Sequence, residues 1–258
     1  MYTVGIDIGS VTAKGALMAG DALVAATSCF TGYNAGAAAR TIYERLLTDH
    51  HMSPEDIRGI VATGYGRNSV TFAGRTFTEI MCHAAGARHL NPAIRAIIDI
   101  GGQDSKAIIL GEGGNVANFI MNDKCAAGTG RFLEVMARAL EVDLDDFGAL
   151  SLTADSPAQI SSLCAVFAES EVVSLIARGE KREDIIAGIH KAIASRVAAM
   201  AARLGISQAS SIMMTGGVAK NIGVVQALER ALGCSVDVSP YAQMTGAIGA
   251  ARLAQSTS

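Results

Sequence analysis

Residues 6–14 read IDIGSVTAK, and residues 98–106 read IDIGGQDSK. Five of the nine positions are identical, among them an early aspartate, a glycine and the closing lysine. Each stretch lies between two short β-prone runs, a pattern that predicts a strand, a glycine turn and a returning strand. The sequence therefore predicts the same β-hairpin twice, with an acid and a lysine at each tip.

A fainter repeat follows each hairpin farther along the chain. Residues 62–69 read ATGYGRNS and residues 214–221 read MTGGVAKN, and each stretch comes after an apolar run. The two repeats together predict an α/β fold with two similar lobes, each a sheet covered by helices. The predicted lobe I comprises residues 1–95 plus 241–258, and the predicted lobe II comprises residues 96–240.

Apolar residues at helical spacing fill most of the chain between these motifs. They recur at positions i, i+3 and i+4, which predicts amphipathic helices. The predicted helices cover residues 35–47, 77–89, 130–140, 167–177, 185–204 and 224–232. A last stretch of small residues, 242–254, predicts a helix that folds back onto a sheet.

The composition excludes several classes of protein. Of the 258 residues, 50% are hydrophobic and only 17% are charged, which is not the composition of a disordered chain. The net charge of −3 predicts no basic face and disfavours nucleic acid as a partner. No run reaches the ~18 apolar residues that a membrane helix needs, and the opening MYTVGIDIGS lacks the basic start of a signal peptide. We therefore expect a cytoplasmic protein without a membrane partner.

The hairpin tips have the chemistry of a phosphate site. A glycine turn flanked by Ser10 and Thr12 exposes backbone N–H groups that bind phosphate oxygens. We expect Asp7 and Asp99 to face each other across a cleft between the lobes and to hold hydrated Mg²⁺, while Lys14 or Lys106 neutralises phosphate charge. One such hairpin alone would indicate an ordinary tight turn, but two copies favour a nucleotide site. The chain has no GxxxxGK[ST] motif and no GxGxxG between a strand and a helix, which disfavours P-loop and dinucleotide-binding folds.

These residues resemble the actin, sugar-kinase and chaperone ATPase superfamily, which has two phosphate hairpins and a glycine-rich adenosine motif. The middle of the chain is similar to a narrower family. NDKCAAGTGRFLEVMA (122–137) and ISSLCAVFAESEVVSLIARG (160–179) look like the cluster-binding segments of ATP-dependent activators of 2-hydroxyacyl-CoA dehydratases and of the ATPase subunits of benzoyl-CoA reductases. IAGIHKAIASRV and MTGGVAKN extend the resemblance to nearly the whole chain. One departure is Val11, where the family's first hairpin usually reads Gly-Ser-Thr.

The resemblance implies a nucleotide site made by both hairpins and the glycine-rich motif. We expect Asp7 and Asp99 to act on Mg-ATP through the metal ion, and either Gln103 or Asp104 to orient the attacking water. The residues expected to contact ATP or ADP are Ser10, Val11, Thr12, Ala13, Lys14, Gly101, Gly102, Gln103, Gly216, Gly217 and Gln243.

Two of the five cysteines stand out from the others. Cys125 and Cys164 each lie at or near a predicted helix start, and helix N-termini stabilise anions such as a ligating thiolate. A cubane iron–sulfur cluster usually has four thiolate ligands, so two identical subunits would provide a full set around one [4Fe–4S] cluster. The resemblance implies the same arrangement. Cys29, Cys82 and Cys234 are expected to be small buried apolar residues.

Three further polar residues have two interpretations each. Glu169 and Glu171 lie early in a predicted helix, where acids favour the helix dipole, and they belong either to a solvated face or to a link between cluster and nucleotide. His190 is expected on a packed helix rather than at a metal, because no HExxH spacing surrounds it.

The combined pattern predicts an ATP-hydrolysing activator that passes one low-potential electron to a partner enzyme. The resemblance implies a homodimer, a ferredoxin or flavodoxin as electron donor, and an iron–sulfur acyl-CoA dehydratase or reductase as acceptor. A small-molecule kinase of the same fold would use both hairpins but would leave the segments around Cys125 and Cys164 without a role. A nucleotide-switched binding module would bind no metal.

Overall fold

The structure is a computed structural model that describes residues 1–161, 164–206 and 211–257. It divides into two compact units. Unit 1 comprises Met1–Ile97, Ile108–Asn118 and Ser239–Ser258, and unit 2 comprises Ile98–Ala107 and Phe119–Val238. We propose that the two lobes comprise residues 1–95 plus 241–258 and residues 96–240, as the sequence predicts.

The first repeat forms the centre of a sheet. The strands of this sheet are β1 (Tyr2–Ile8), β2 (Thr12–Ala19), β3 (Ala22–Phe30), β4 (Ile57–Thr63) and β5 (Arg75–Thr76), in the order β3-β2-β1-β4-β5. Strand β2 runs antiparallel to β1 and β3, whereas β4 runs parallel to β1. Asp7 is paired with Lys14 in the β1–β2 register, so the first predicted hairpin is confirmed.

The second repeat forms part of a four-stranded sheet. Its strands are β6 (Ala96–Ile100), β7 (Ser105–Leu110), β8 (Val116–Asn122) and β9 (Ile212–Thr215), in the order β8-β7-β6-β9. Strands β6 and β7 are hydrogen-bonded neighbours joined by residues 101–104. The second predicted hairpin is therefore confirmed as well.

The remaining regular structure is helical. The α-helices are α1 (Ala35–Asp49), α2 (Glu79–Leu90), α3 (Gly130–Ala139), α4 (Leu144–Ser151), α5 (Ala165–Ala177), α6 (Arg182–Ala202), α7 (Ile222–Leu232) and α8 (Thr245–Ala254). Short 3₁₀ turns cover Pro54–Asp56, Arg67–Ser69, Gly217–Lys220, Ala242–Met244 and Gln255–Thr257. Of these helices, α4 is not among those that the periodicity predicts.

Capping residues explain where the predicted helices begin. Helix α2 begins at Glu79 because the Thr78 side chain accepts a hydrogen bond from the Met81 N–H, while the Phe77 N–H bonds instead to the carbonyl of Ala62. Helix α6 begins at Arg182, with two acids in its first turn, where the helix dipole favours negative charge. The predicted helices are confirmed, with ends that differ from the predicted ones by a few residues.

Helix α8 ties the end of the chain to the first sheet. It packs against β1, β2, β4 and α2, and its alanines contribute to two buried apolar clusters. Small residues allow this close approach, because larger side chains would hold the helix away from the strands. The prediction that this stretch folds back onto a sheet is confirmed, with the helix beginning at Thr245.

Helix α6 is the central helix of unit 2. It packs against α4, α5 and α7, and α3 packs against α5. By length and composition alone α6 could cross a membrane, since its most apolar stretch has a mean hydropathy of 1.3. Half of that stretch is buried inside the protein, and core helices have the same composition. We assign α6 to the core of unit 2.

Candidate functional site

The first hairpin holds an aspartate and a lysine against each other. Asp7 is the penultimate residue of β1 and is 5% exposed, and the Lys14 ammonium lies 3.4 Å from its Oδ2. The Gly9 N–H donates to the Thr12 carbonyl at 3.1 Å, which closes the turn. Because strand pairing fixes the backbone of both residues, the Asp7 carboxylate and the Lys14 ammonium are positioned before any ligand binds.

The second hairpin repeats this turn with one more carboxylate. The Gly101 N–H donates to the Asp104 carbonyl at 2.9 Å. Lys106 is 2% exposed, and its ammonium contacts Asp99 Oδ2 at 3.1 Å and Asp104 Oδ1 at 2.8 Å. Thr215 Oγ1 also donates to Asp99 Oδ1, at 2.8 Å. Among the described residues, Lys106 is therefore held by two carboxylates and Lys14 by one.

A glycine in left-handed backbone conformation lies against each hairpin. Gly64 has φ +84°, and a Cβ there would lie 2.3 Å from Asp7 Oδ1 and 2.6 Å from the Ile8 carbonyl. Gly216 has φ +88°, and its Cβ would meet the equivalent atoms, the Ile100 carbonyl at 2.3 Å and Asp99 Oδ1 at 2.9 Å. Only glycine satisfies both the backbone angle and the space. The fainter sequence repeat thus corresponds to one structural feature that occurs twice.

The predicted nucleotide contacts differ in accessibility. Ser10, Gln103 and Gly217 are exposed. Ala13 is fully buried in the core of unit 1, so only its backbone is available to a ligand. Gln243 is half-buried in the 3₁₀ turn that precedes α8. Gly216 is buried directly after β9, and the other predicted contacts are half-buried: Val11, Thr12, Lys14, Gly101 and Gly102.

Cys125 lies in a loop that is bound from two sides. The Asn122 side chain donates to the Cys125 carbonyl at 2.9 Å, and Arg196 Nη2 donates to the Cys125 sulfur at 3.5 Å. Cys125 lies near a helix start, as expected, with residues 126–129 forming a turn ahead of α3. Thr129 caps that turn by donating both its N–H and its hydroxyl to the Ala126 carbonyl.

Cys164 does lie at a helix start. It is exposed and is the N-cap residue of α5, with no side-chain capping bond. Glu171 accepts hydrogen bonds from the N–H and hydroxyl of Ser161, so this acid of the AESE run fixes the chain just ahead of the cysteine, whereas Glu169 is exposed. Ser162 and Leu163 of the same motif lie outside the described residues.

Backbone hydrogen bonds connect the second hairpin to the cysteine loop. The Gly130 N–H donates to the Gly101 carbonyl and the Arg131 N–H donates to the Gly102 carbonyl, each at 2.8 Å. These donors are the free N–H groups of the first turn of α3. The start of α3 is thus bonded to the hairpin tip on one side and joined to the Cys125 loop on the other.

The other three cysteines are buried or half-buried. Cys82 is buried against α8, and burial raises the pKa of its thiol to about 12, so it remains a neutral apolar residue at physiological pH. Cys29 and Cys234 are half-buried. Within residues 1–161, 164–206 and 211–257, no group of three or more histidine, cysteine or acidic side chains could hold a metal ion.

His190 lies inside unit 2, as expected for a packed helix residue. Its ring makes an edge contact with Phe147 at 5.4 Å between centroids, and Asn221 Nδ2 lies 3.4 Å from its Nε2. Burial lowers the pKa of His190 to about 4. The imidazole is therefore neutral at physiological pH and connects α6 to the end of the MTGGVAKN motif.

One protein family matches nearly the whole chain, including all of the features described above. Residues 4–254 match the model of the BadF/BadG/BcrA/BcrD ATPase family. The chain belongs to that family. Membership in the BadF/BadG/BcrA/BcrD ATPase family confirms both the resemblance stated from the motifs and the prediction of an ATPase.

Individual relatives of this ATPase family are similar over nearly the full chain. The (R)-2-hydroxyglutaryl-CoA dehydratase activating ATPase of Acidaminococcus fermentans is 48% identical over 97% of this chain and 96% of its own. The 2-hydroxyisocaproyl-CoA dehydratase activator of Clostridioides difficile is 44% identical over 97% and 94%. One of the subunits of the benzoyl-CoA reductase of Thauera aromatica is 36% identical over 83% and 77%.

Solved structures confirm the fold class. The A. fermentans (R)-2-hydroxyglutaryl-CoA dehydratase component A superposes with a TM-score of 0.95 at 46% identity, over 99% of this chain and 98% of that one. The C. difficile activator with bound ADPNP gives 0.93 at 44%, over 98% and 94%. A ROK family glucokinase from Streptomyces griseus gives 0.60 at 14%, over 99% and 100%, a likeness of fold alone. The fold is that of the actin-like ATPases and sugar kinases.

Proposed function

We propose that the chain is an ATP-driven electron-transfer activator. It binds Mg-ATP, holds one [4Fe–4S] cluster jointly with a second copy of itself, and delivers one low-potential electron to an iron–sulfur acyl-CoA dehydratase or reductase. The relatives named as dehydratase activators support this choice of partner. The observation that carries the proposal is the pair of hydrogen bonds from the start of α3 to the tip of the second hairpin. If ATP binding is to change the properties of the cluster, the nucleotide site and the cluster site must be energetically coupled, and these bonds join the two sites.

Each hairpin contributes distinct groups to ATP binding. The turns after Asp7 and Asp99 present backbone N–H groups to phosphate, and Lys14, which has a single carboxylate partner, neutralises phosphate charge. The carboxylates of the two aspartates would hold the hydrated Mg²⁺ that accompanies ATP. Gly216 and Gly217, which follow β9, are the proposed contacts of the adenosine, and Gly217 is exposed to a ligand.

Gln103 is the residue that we assign to the attacking water. Asp104 is committed to Lys106 at 2.8 Å, whereas Gln103 is exposed on the same turn. An amide both accepts and donates, so it can orient a water molecule without taking its proton. Catalysis at the γ-phosphate then consists of positioning and charge stabilisation.

The donor set of this chain fits half of a cubane cluster. Cys125 and Cys164 precede α3 and α5, which pack against each other, and thiolates are the usual ligands of such clusters. Two chains related by a twofold axis supply all four sulfurs. When bound, the cluster supplies a one-electron carrier of low potential. Ferredoxin or flavodoxin is the proposed donor, and the cytoplasm, where thiols stay reduced, is the proposed location.

Anaerobic purification followed by iron and ATPase assays tests the function. We expect a brown protein with about two irons per chain, the share of one four-iron cluster held by two subunits, and ATP hydrolysis that accelerates electron transfer to an acyl-CoA dehydratase. A colourless protein that transfers phosphate from ATP to a sugar would identify a kinase instead. A colourless protein that binds ATP without hydrolysing it would identify a binding module.

A further inference from the structure

The two cysteines of one chain differ in their surroundings. Cys164 is exposed at the start of α5, and its side chain makes no capping bond. Cys125 is half-buried, and its sulfur accepts a hydrogen bond from Arg196 Nη2 at 3.5 Å. A full positive charge therefore lies against the sulfur of Cys125.

The Arg196 side chain is held in place by its own surroundings. It projects from the second half of α6, is half-buried, and lies next to the buried Val197. The Cys125 loop lies over its aliphatic stem, because a Cβ on Gly128 would be only 3.4 Å from Arg196 Cδ. Asn122 fixes the Cys125 carbonyl at 2.9 Å. The helix and the loop thus hold the Arg196 guanidinium next to the Cys125 sulfur.

The guanidinium also lies beside a cavity of mixed charge. The cavity has a volume of about 390 Å³ and lies between the end of β8 and α6. Its charged lining residues are Asp123, Lys124, Arg196 and Arg203. Arg203 lines the same cavity but makes no hydrogen bond to Cys125 within the part of the chain that the structure describes. Replacing Arg203 therefore removes a positive charge from the cavity without removing a hydrogen bond to the sulfur, which makes it the matched control for Arg196.

We propose that Arg196 is a positioning residue for the Cys125 thiolate and that it raises the reduction potential of the bound cluster. This inference rests on the proposed function. Hydrogen bonds to ligating sulfur and nearby positive charge are among the factors that set cluster potentials. A reduced cluster carries one more negative charge than an oxidised one, so an N–H donor and a cation at the sulfur stabilise the reduced form more.

The direction of the effect follows from this charge difference. Without the guanidinium the reduced form is stabilised less, and the potential falls. The loss also frees the Cys125 loop from one of its two anchors, while the Asn122 bond remains. Iron therefore stays bound, and the change is seen in the potential rather than in the loading.

Redox titration of the iron-loaded dimer, followed by absorbance and electron paramagnetic resonance, tests this inference. For Arg196→Gln we expect parental iron content. We expect the equilibrium constant for one-electron reduction of the cluster to fall tenfold, which lowers the reduction potential by about 59 mV. Arg203→Gln, which removes the same charge from the same cavity, should shift the potential by less than half as much. Arg196→Lys keeps the charge and should give an intermediate value.

Each alternative outcome has a distinct meaning. An iron-loaded Arg196→Gln protein with the parental potential overturns the role of Arg196 and leaves the proposed function intact. Equal shifts in Arg196→Gln and Arg203→Gln also overturn it, because charge alone would then explain the effect. If Arg196→Gln loses its iron, the Arg196→Lys titration decides, and a parental potential there overturns the inference. A parent protein that binds no iron contradicts both the inference and the proposed function.

Discussion

The backbone N–H of Gly130 donates to the carbonyl oxygen of Gly101 at 2.8 Å. Gly101 belongs to the turn of the second hairpin, and Gly130 is the first residue of α3. A Cβ on Gly130 would lie 3.2 Å from that same oxygen and 3.4 Å from the Cα of Gly102. The hairpin tip and the helix that follows the Cys125 loop are therefore in direct contact.

Gly130→Ala should weaken this connection without removing the cluster ligands. The added methyl group forces the hairpin and α3 apart by a few tenths of an ångström, so we expect parental iron content but a smaller difference in iron release between ADP and ATP-analogue states. Chelator-extraction rates measure this. Arg131→Ala is the matched control, because it keeps the backbone bond to Gly102 and should behave as the parent does. An unchanged nucleotide effect in Gly130→Ala would contradict transmission by this route.

The hairpins were predictable because their signal is local. Alternating apolar residues, a glycine turn and a repeated Asp–Lys pair define each one within nine residues, and β-pairing then brings Asp7 beside Lys14. The equivalence of Gly64 and Gly216 was also predictable, because both lie in the weak sequence repeat. Both glycines have a positive φ angle, which explains why the repeat keeps glycine at this position.

The surroundings of Cys125 were not predictable, because they depend on contacts between segments far apart in sequence. The contact of Arg196 with the Cys125 sulfur joins α6 to a loop ahead of α3, and nothing in the periodicity of α6 marks that arginine. Glu171 likewise takes its role from Ser161. The start of α3 at Gly130 was predictable, because the apolar periodicity of that helix begins there.

Replacement of the two cysteines proposed as cluster ligands should abolish iron binding without unfolding the chain. Each of Cys125→Ser and Cys164→Ser would remove half of the thiolates from the proposed dimer, and the hairpins proposed to bind ATP do not depend on either side chain. We expect loss of iron and of partner activation, with nucleotide affinity retained, as measured by iron assay and calorimetry.

The other cysteines provide the control for this experiment. Cys29→Ser, Cys82→Ser and Cys234→Ser should keep parental iron content. Full iron retention in both Cys125→Ser and Cys164→Ser would show that the ligand assignment is wrong.

Replacement of the hairpin aspartates should affect hydrolysis and leave iron in place. Asp7→Asn and Asp99→Asn remove the negative charge that would hold Mg²⁺ and that faces Lys14 or Lys106. We expect a drop in kcat of roughly a hundredfold, the scale of one lost electrostatic contact in a transition state. Phosphate-release assays measure it. Asp155→Asn, which breaks an exposed aspartate–lysine pair, is the control, and parental hydrolysis in Asp7→Asn would contradict the model.

His190 should make the protein less stable as the pH falls. Burial lowers its folded-state pKa to about 4, below the ~6.5 of an unfolded chain. Between these values the unfolded state binds more protons, so the stabilisation is complete above pH 6.5 and is lost as the pH falls toward 4. At pH 5 the loss amounts to about 2 kcal/mol relative to pH 7.

Urea unfolding at pH 7 and pH 5 measures this effect. His190→Gln should remove this part of the pH dependence, whatever its effect on absolute stability, whereas His50→Gln, at an exposed position, should not. Equal pH dependence in the parent and His190→Gln would show that the His190 imidazole titrates normally in the folded state.

The central claim is that ATP and an intersubunit cluster are coupled, and iron release measures this most directly. The anaerobic protein is mixed with a chelator in the presence of ADP or of a non-hydrolysable ATP analogue, release is followed by absorbance, and the same samples are sized. We predict a dimer that loses iron at clearly different rates in the two nucleotide states and whose cluster bleaches within minutes to hours in air. Identical release rates in both states, or a monomer that carries iron, would contradict the account.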